Sequence, residues 1–184
     1  MVNYVTPKAS VDFEQMLFLQ KANLSEAISE KEKQDQGFVT VRHTKQLLED
    51  MNEQAAHSIA KVDRQVIGYA LAMTKSFREK IPILIPMFDM IDSLSFKGKS
   101  LANMDYLIMG QVCIAKQYRG QGVFLGLYEG LQRQHAQQFP LIITEVDDEN
   151  KRSLRAHQKV GFEHLFSYGS PDGTQWELIA WDWR

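Results

Sequence analysis

Apolar residues change their spacing several times along this chain, and each change marks an element. After Ser10, Phe13, Met16, Leu17, Gln20 and Leu24 recur at helical intervals, which predicts a helix capped by Ser10 and running to about Ala22. A second helical piece is expected from Ser25 to Lys33, and Gly37 breaks the pattern. Phe38-Val39-Thr40-Val41 is short and β-branched and reads as a strand, after which Thr44 caps a helix over Lys45 to Asn52. From Ala56 to Met73 the pattern is that of a hairpin, His57 to Val62 and Val66 to Met73 about a turn at Asp63-Arg64. Thr74 to Leu101 is a long connection containing Pro82, Pro86 and a helix from Pro86 to Leu94, and its length suits a functional or mobile loop.

The second half is more regular. Tyr106 to Ile114 is an apolar run expected as a buried strand, and Val123 to Phe139 a helix with Phe124, Leu127, Tyr128, Leu131 and His135 on one face. Gly126 and Gly130 allow close backbone packing there, and Pro140 ends the helix. Leu141 to Val146 is a strand, Asn150 caps a helix stopped by Gly161, and Phe162 to Tyr168 is a strand. A turn at Ser170-Pro171-Asp172-Gly173 leads into a closing strand, Thr174 to Trp183.

The 184 residues are 44% hydrophobic and 24% charged with a formal net charge of -2, which suits one globular domain spanning 1–184 with an ordinary core. Without a basic run there is no electrostatic grip for nucleic acid, so a small molecule or a protein is the expected substrate. The amino terminus lacks a charged region followed by an apolar stretch and a cleavage site, and no run of about eighteen apolar residues follows; a cytoplasmic protein with no membrane partner is expected. Cys113 is the single cysteine and reads as a buried core thiol. The five histidines lack metal-ligand spacing such as H-E-x-x-H, so no metal is expected.

Candidate chemistry starts at Gln117-Tyr118-Arg119-Gly120-Gln121-Gly122, between the Tyr106 strand and the Val123 helix. A glycine-rich turn opening a helix gathers backbone N–H groups at a positive dipole end, as a diphosphate requires. A nucleoside-triphosphate loop would need Lys-Ser or Lys-Thr after the last glycine, and Val123-Phe124 stands there. Gly120, Gly122 and Gly126 give G-x-G-x-x-x-G, one residue too long for the dinucleotide fingerprint. A tight turn without a ligand remains the alternative. About thirty residues on, Asn150 to Phe162 sets Ser153, Ala156, His157 and Val160 on one helix face.

The Q/R-x-x-G-x-G/A loop followed by N-x-x-[AS]-x-x-x-[aromatic]-x-x-x-G-F resembles the GNAT superfamily of acetyl-CoA-dependent N-acetyltransferases, over roughly Met104 to Tyr168. The resemblance implies an α/β fold of the acyl-CoA N-acyltransferase type, a central twisted sheet, mixed but mainly antiparallel, flanked by helices. It also implies acetyl-CoA as cosubstrate and direct transfer to a primary amine of a small molecule or peptide. By the same resemblance Val112, Cys113 and Ile114 bond the pantetheine arm. Gln117 opens the phosphate motif, Arg119, Gly120, Gln121, Gly122, Val123 and Phe124 carry the diphosphate on backbone N–H groups, Asn150 meets the arm, and Ser153 lies beneath it. An oxyanion would be held by a strand amide, that of Val112 being the candidate.

At His157 the family usually has a tyrosine that protonates the departing thiolate. A histidine near 6.5 can protonate a thiolate near 8.5, yet a satisfied, buried histidine fits the same position. Many relatives carry a glutamate in the middle of the Tyr106 to Ile114 strand, where this chain has no acid. Glu145 and Asp105 are therefore the candidate bases, with Asp147 and Asp148 read as a solvated cluster and Tyr168 and His43 as packing residues with a further claim on the acceptor pocket. The Thr74 to Leu101 insertion would help shape that pocket. Rival readings are a CoA-binding module without transfer, an acyltransferase for another acyl-CoA or acceptor, and a homodimer through Trp176, Trp181 and Trp183.

Overall fold

The computed structural model describes every residue except 30, 33–37 and 172. Its strands are β1 (Asn3–Val5), β2 (Ser58–Val62), β3 (Gln65–Met73), β4 (Ser95–Phe96), β5 (Lys99–Ser100), β6 (Leu107–Ile114), β7 (Leu141–Asp147), β8 (Glu163–Gly169) and β9 (Gln175–Asp182). Its longer helices are α1 (Ser10–Lys21), α2 (Lys45–Gln54), α3 (Ile85–Ser93), α4 (Val123–His135) and α5 (Lys151–Val160). Seven strands form one sheet in the order β1-β2-β3-β6-β7-β9-β8, antiparallel throughout except between β6 and β7. This is the mixed, mainly antiparallel α/β architecture expected from the motifs.

Each sheet face buries its own core. Phe13 and Met16 of α1, Leu48 and Met51 of α2 and Phe88 and Ile91 of α3 cover one face. Val123, Leu127, Tyr128 and Leu131 of α4 cover the other, with Leu154 and Val160 of α5. The helix glycines set how closely α4 lies on the sheet: a Cβ at Gly126 would sit 2.1 Å from Tyr4 Cζ, and one at Gly130 would sit 2.3 Å from Ser58 Oγ.

A bulge at Gly110 decides what β6 shows to each face. Leu71 pairs with Gln111 but Ala72 pairs with Met109, so Gly110 is the extra residue. Leu107 and Met109 face α4 before the bulge, and Val112 and Ile114 do so after it. Ile108 and Cys113 face the α1 side. Without the extra residue the alternation would put Val112 with Ile108 and send Cys113 towards α4.

Several expectations are corrected. Ser10 is inside α1 rather than its cap; the Asp12 carboxylate reaches back instead, accepting from the Lys8 and Ala9 amides at 3.1 and 3.3 Å. The second helical piece begins as a 3-10 turn over Ser25–Ala27 and is helical at residues 31 and 32, while residues 30 and 33 of its expected span lie outside the described residues. Phe38 to Val41 makes no strand; among the described residues its strand-type pairing is the single bridge from Val39 to Leu24. The 74–101 connection is packed, with α3 and the β4–β5 hairpin inside it, and Phe77, Phe88 and Leu101 are fully buried. Trp181 packs on Tyr128, Phe162 and Trp183 within the fold, while Trp176 donates from Nε1 to Ser170 Oγ at 3.1 Å.

Candidate active site

The parallel seam of the sheet closes at one end only. β6 and β7 are paired at Leu107 with Ile142 and at Ile108 with Ile143, and the Thr144 hydroxyl then donates to the Met109 carbonyl at 2.9 Å. No further β6–β7 register pairs follow, and a cleft of about 450 Å³ lies there, walled by Val112, Cys113 and Ile114 on one side and by Asn150, Ser153 and Ala156 on the other. The Ala115 amide donates to Ile67 of β3 at 2.8 Å. By the alternation of an extended strand, the amides of Val112 and Ile114 point the other way, into the seam.

The glycine loop closes the wide end of the cleft. Gly120 and Gly122 have φ of +75° and +80°, in the left-handed region, and a Cβ on either would meet nothing within 4 Å. Conformation, not crowding, therefore demands glycine, and the space in front of the loop is left open. Gly122 caps α4 with no side chain accepting from the first turn, so the leading amides of the helix look into solvent-accessible space at its positive end. Arg119 ties the loop to its neighbours: Nε donates to the Ile114 carbonyl at 3.0 Å and Nη2 to Asn23 Oδ1 at 2.5 Å. Burial draws the Arg119 pKa down from its ordinary value.

Charge around this cleft is one-sided. Arg119, Arg152, Arg155 and Lys159 line it, and no carboxylate is among the described lining residues. On a chain with a formal net charge of -2 this is a local concentration, suited to a ligand carrying several phosphate charges. Asn150 caps α5, its Oδ1 accepting from the Ser153 amide at 3.2 Å, and is buried where the cleft narrows.

A smaller lobe of about 90 Å³ continues past the narrow point, with Gln111, Thr144, Glu145, Asp147, His157 and Trp176 in its wall. Glu145 projects from β7, and burial pushes its carboxyl up to about 7, opposed by a hydrogen bond donated by the Tyr168 hydroxyl to Oε2. The same burial, and the carboxylate itself, raise the Tyr168 phenol. A carboxyl that titrates near neutrality at the end of a ligand cleft has the acidity a general base needs.

His157 is fully buried and both ring nitrogens are engaged. Nδ1 lies 2.8 Å from the Ser153 carbonyl and Nε2 lies 2.5 Å from the Tyr128 hydroxyl. The carbonyl can only accept, which assigns the ring proton to Nδ1 and makes Nε2 the acceptor from Tyr128. Burial lowers the imidazole to about 4, so at neutral pH the ring is uncharged. Phe124, Tyr128 and Phe162 pack edge-on around it.

The other sequence candidates fall into place around these lobes. Val112, Cys113, Ile114, Arg119, Gly120, Gly122, Phe124, Asn150 and Ser153 line the large cleft. Gln117, Gln121 and Val123 do not; Gln121 folds back to donate to the Gln117 carbonyl at 2.7 Å, and Val123 is buried in the core. Their share in any ligand contact is through main chain. Cys113 is buried and its thiol is pushed up to about 12, which leaves it unactivated. Asp105 is exposed just before the paired end of the seam and lines neither lobe. His43 lies in a buried polar network and outside both linings, and the 74–101 insertion supplies no lining residue. Asp147, the half-exposed last residue of β7, lines the small lobe, its Oδ1 accepting from the Glu149 amide at 2.9 Å. Sequence reasoning missed Arg152, Arg155 and Lys159, whose i, i+3, i+7 spacing after Asn150 was a legible sign of one basic helix face.

Comparison with known proteins points in one direction. The model of the acetyltransferase (GNAT) family matches residues 22–162. The ribosomal-protein-S18-alanine N-acetyltransferase from Escherichia coli superposes with a TM-score of 0.63 at 10% identity, covering 99% of this chain and 94% of its own. A Salmonella typhimurium protein solved with its cofactor acetyl-CoA gives 0.64 at 14% identity, with 100% and 95% covered. An N-acetyltransferase from Staphylococcus aureus Mu50 gives 0.64 at 14%, with 100% and 99% covered. No curated protein matches the sequence.

Proposed function

The chain belongs to the acetyltransferase (GNAT) family, and from that premise we propose that it moves the acetyl group of acetyl-CoA directly to a primary amine of a small molecule or peptide. The observation that carries the reading is the polarity of the open seam, cationic at the α4 loop and α5 and acidic at Glu145 and Asp147. The diphosphate would lie on the leading amides of α4, beside Arg119. The remaining phosphate charge would face Arg152, Arg155 and Lys159, and the arm would run along Val112 and Ile114 towards Asn150. That orientation delivers the thioester to the small lobe. No helix among the described residues is long and apolar enough to cross a membrane.

In this reading Glu145 accepts the proton of the incoming ammonium. The amine nitrogen then bonds to the acetyl carbon, and the oxyanion is held by the Val112 amide. The carbon–sulfur bond breaks as the carbonyl reforms, and the second proton of the attacking nitrogen leaves to water. A carboxyl near 7 is more acidic than a thiol near 8.5, so the proton held on Glu145 can pass downhill to the departing sulfur, directly or through water. His157, neutral and with its ring proton committed to Ser153, serves as packing and hydrogen-bonding support rather than as the acid.

Titration calorimetry with acetyl-CoA, followed by thiol release over a panel of amines, tests the proposal. Micromolar CoA binding with amine-dependent thiol release supports it. Binding without release from any amine would reduce the protein to a CoA-binding module, and no binding by the folded protein would remove both readings.

A further inference from the structure

Gln111 lines the small lobe but is built into a buried network rather than turned to the space in front of it. Its Oε1 accepts from Gln20 Nε2 at 2.9 Å and from the Tyr69 hydroxyl at 2.7 Å, and its Nε2 donates to the Val41 carbonyl at 2.8 Å. Gln20 is held in turn by His43: its Oε1 accepts from the His43 amide, and its Nε2 approaches His43 Nδ1, both at 2.9 Å. Burial lowers His43 to about 4, so the ring is neutral and Nδ1 can accept. The side-chain atoms of Gln20 and Gln111 are thus committed to one another, to Tyr69 and to the backbone of Val41 and His43.

What this network restrains is the segment before α2. Apart from the Val39–Leu24 bridge, residues 38–43 have no regular structure, yet Phe38, Val39 and Thr40 wall the small lobe. An irregular wall needs fixing from elsewhere: Val39 exchanges main-chain bonds with Asn23 and Ser25, and beyond it the side chains of Gln111 and Gln20 hold the Val41 carbonyl and the His43 amide. The bulge at Gly110 supplies the means, since it turns Gln111 onto the α1 face where Gln20 and Tyr69 lie.

We propose that Gln111 is a positioning residue for the acceptor: with Gln20 it anchors the 38–43 wall, and that wall sets the fit of the amine against Glu145. The inference rests on the transfer reading for its kinetic consequence but not for its structural one. An amide is required rather than a carboxylate of the same shape, because one atom must accept twice while the other donates to a carbonyl. Gln111→Glu tests this isosterically: protonated, the side chain can still donate to Val41, whereas ionised it sets negative charge against that carbonyl.

Hydrogen exchange over residues 38–43 is the first readout. Exchange in Gln111→Leu is expected to be faster there by at least about tenfold, the scale of losing a buried hydrogen bond, with the α4 helix unchanged. In Gln111→Glu it should quicken as pH rises and approach native rates as pH falls. For the amines the native protein accepts, the acceptor KM of Gln111→Glu relative to native should rise with pH while acetyl-CoA affinity holds. Native exchange rates in Gln111→Leu, or a variant-to-native KM ratio that does not move with pH, would overturn the proposal. A native protein that transfers to no amine would instead fail the transfer reading, and exchange alone would then decide the role of Gln111.

Discussion

Replacing Glu145 with glutamine isolates the energetic cost of keeping a carboxylate in the small lobe. Its carboxyl ordinarily titrates at 4.5 and here is raised to about 7, chiefly by burial. The folded protein therefore holds this proton more tightly than the unfolded chain does. The resulting stability is fully present below about pH 4.5 and is lost as pH rises through about 7. At 1.36 kcal/mol per pH unit the gap corresponds to about 3 kcal/mol, of which about 2.5 falls between pH 5 and pH 8. Glutamine has no such proton to lose and can still accept from Tyr168. In urea titrations followed by tryptophan fluorescence, Glu145→Gln should therefore gain about 2–3 kcal/mol on the native protein between pH 5 and pH 8. Amine-dependent thiol release by the same variant should fall about a hundredfold or more, as expected when a general base is removed. A stability difference that is the same at both pH values would refute the assignment of a raised carboxyl, whatever happened to the activity.

Four buried histidines, His135 among them, give stability an opposite slope. His43 is lowered to about 4, His57 to about 3 and His157 to about 4, in each case chiefly by burial. Their contribution is complete above the ordinary value of about 6.5 and is lost as pH falls through the lowered values, so the urea midpoint should drop between pH 7 and pH 5; a flat midpoint would contradict their neutral burial. His157→Ala should lower stability by about 2–4 kcal/mol through lost packing, yet leave kcat of the remaining folded enzyme within a few-fold of native; a loss of a hundredfold or more would restore the general acid. Gly126→Ala would place a methyl 2.1 Å from Tyr4 Cζ and should cost about 1–3 kcal/mol in urea unfolding, and an unchanged midpoint would mean that Tyr4 moves aside freely. Arg155→Ala and Lys159→Ala should each weaken CoA about fivefold in low salt and less in high salt, as calorimetry at two ionic strengths would show; affinity insensitive to both substitutions would place the phosphates elsewhere.

The parts of the site legible in the sequence are those where one backbone conformation demands one residue type. Gly120 and Gly122 adopt positive φ, Asn150 caps α5 and Gly161 ends it at φ +120°, and these local requirements fixed the loop and helix before any tertiary contact was known. Glu145 was legible as an acid on a strand, but neither the burial that raises its carboxyl nor the opposing hydrogen bond from Tyr168, which lies two strands away across β9, is written in the local sequence. Phe38 to Val41 has the composition of a strand, yet a ladder needs a neighbour, and composition carries no record of one. The bulge at Gly110 was illegible for a similar reason. Glycine in a strand permits an extra residue, but only the register with β3 shows that one is present, and that register decides which way Gln111 and Cys113 turn.

The half-open seam has a mechanical meaning as well as a chemical one. β1, β2, β3 and β6 make one leaf, β7, β9 and β8 another, and the backbone link between the leaves is confined to the stretch around Leu107 and Ile108. A sheet joined in this way is a hinged book, and its spine is weak in proportion to its length. A molecule that lies between the pages, bonded to amides of one and to the capped helix of the other, binds the volume shut. In the GNAT reading that molecule is acetyl-CoA, consumed at each turnover, so the cohesion of the two leaves would follow the supply of the reactant. Resistance to unfolding should then climb with the logarithm of its concentration above Kd, which makes the fold itself a gauge of how much acetyl-CoA is present.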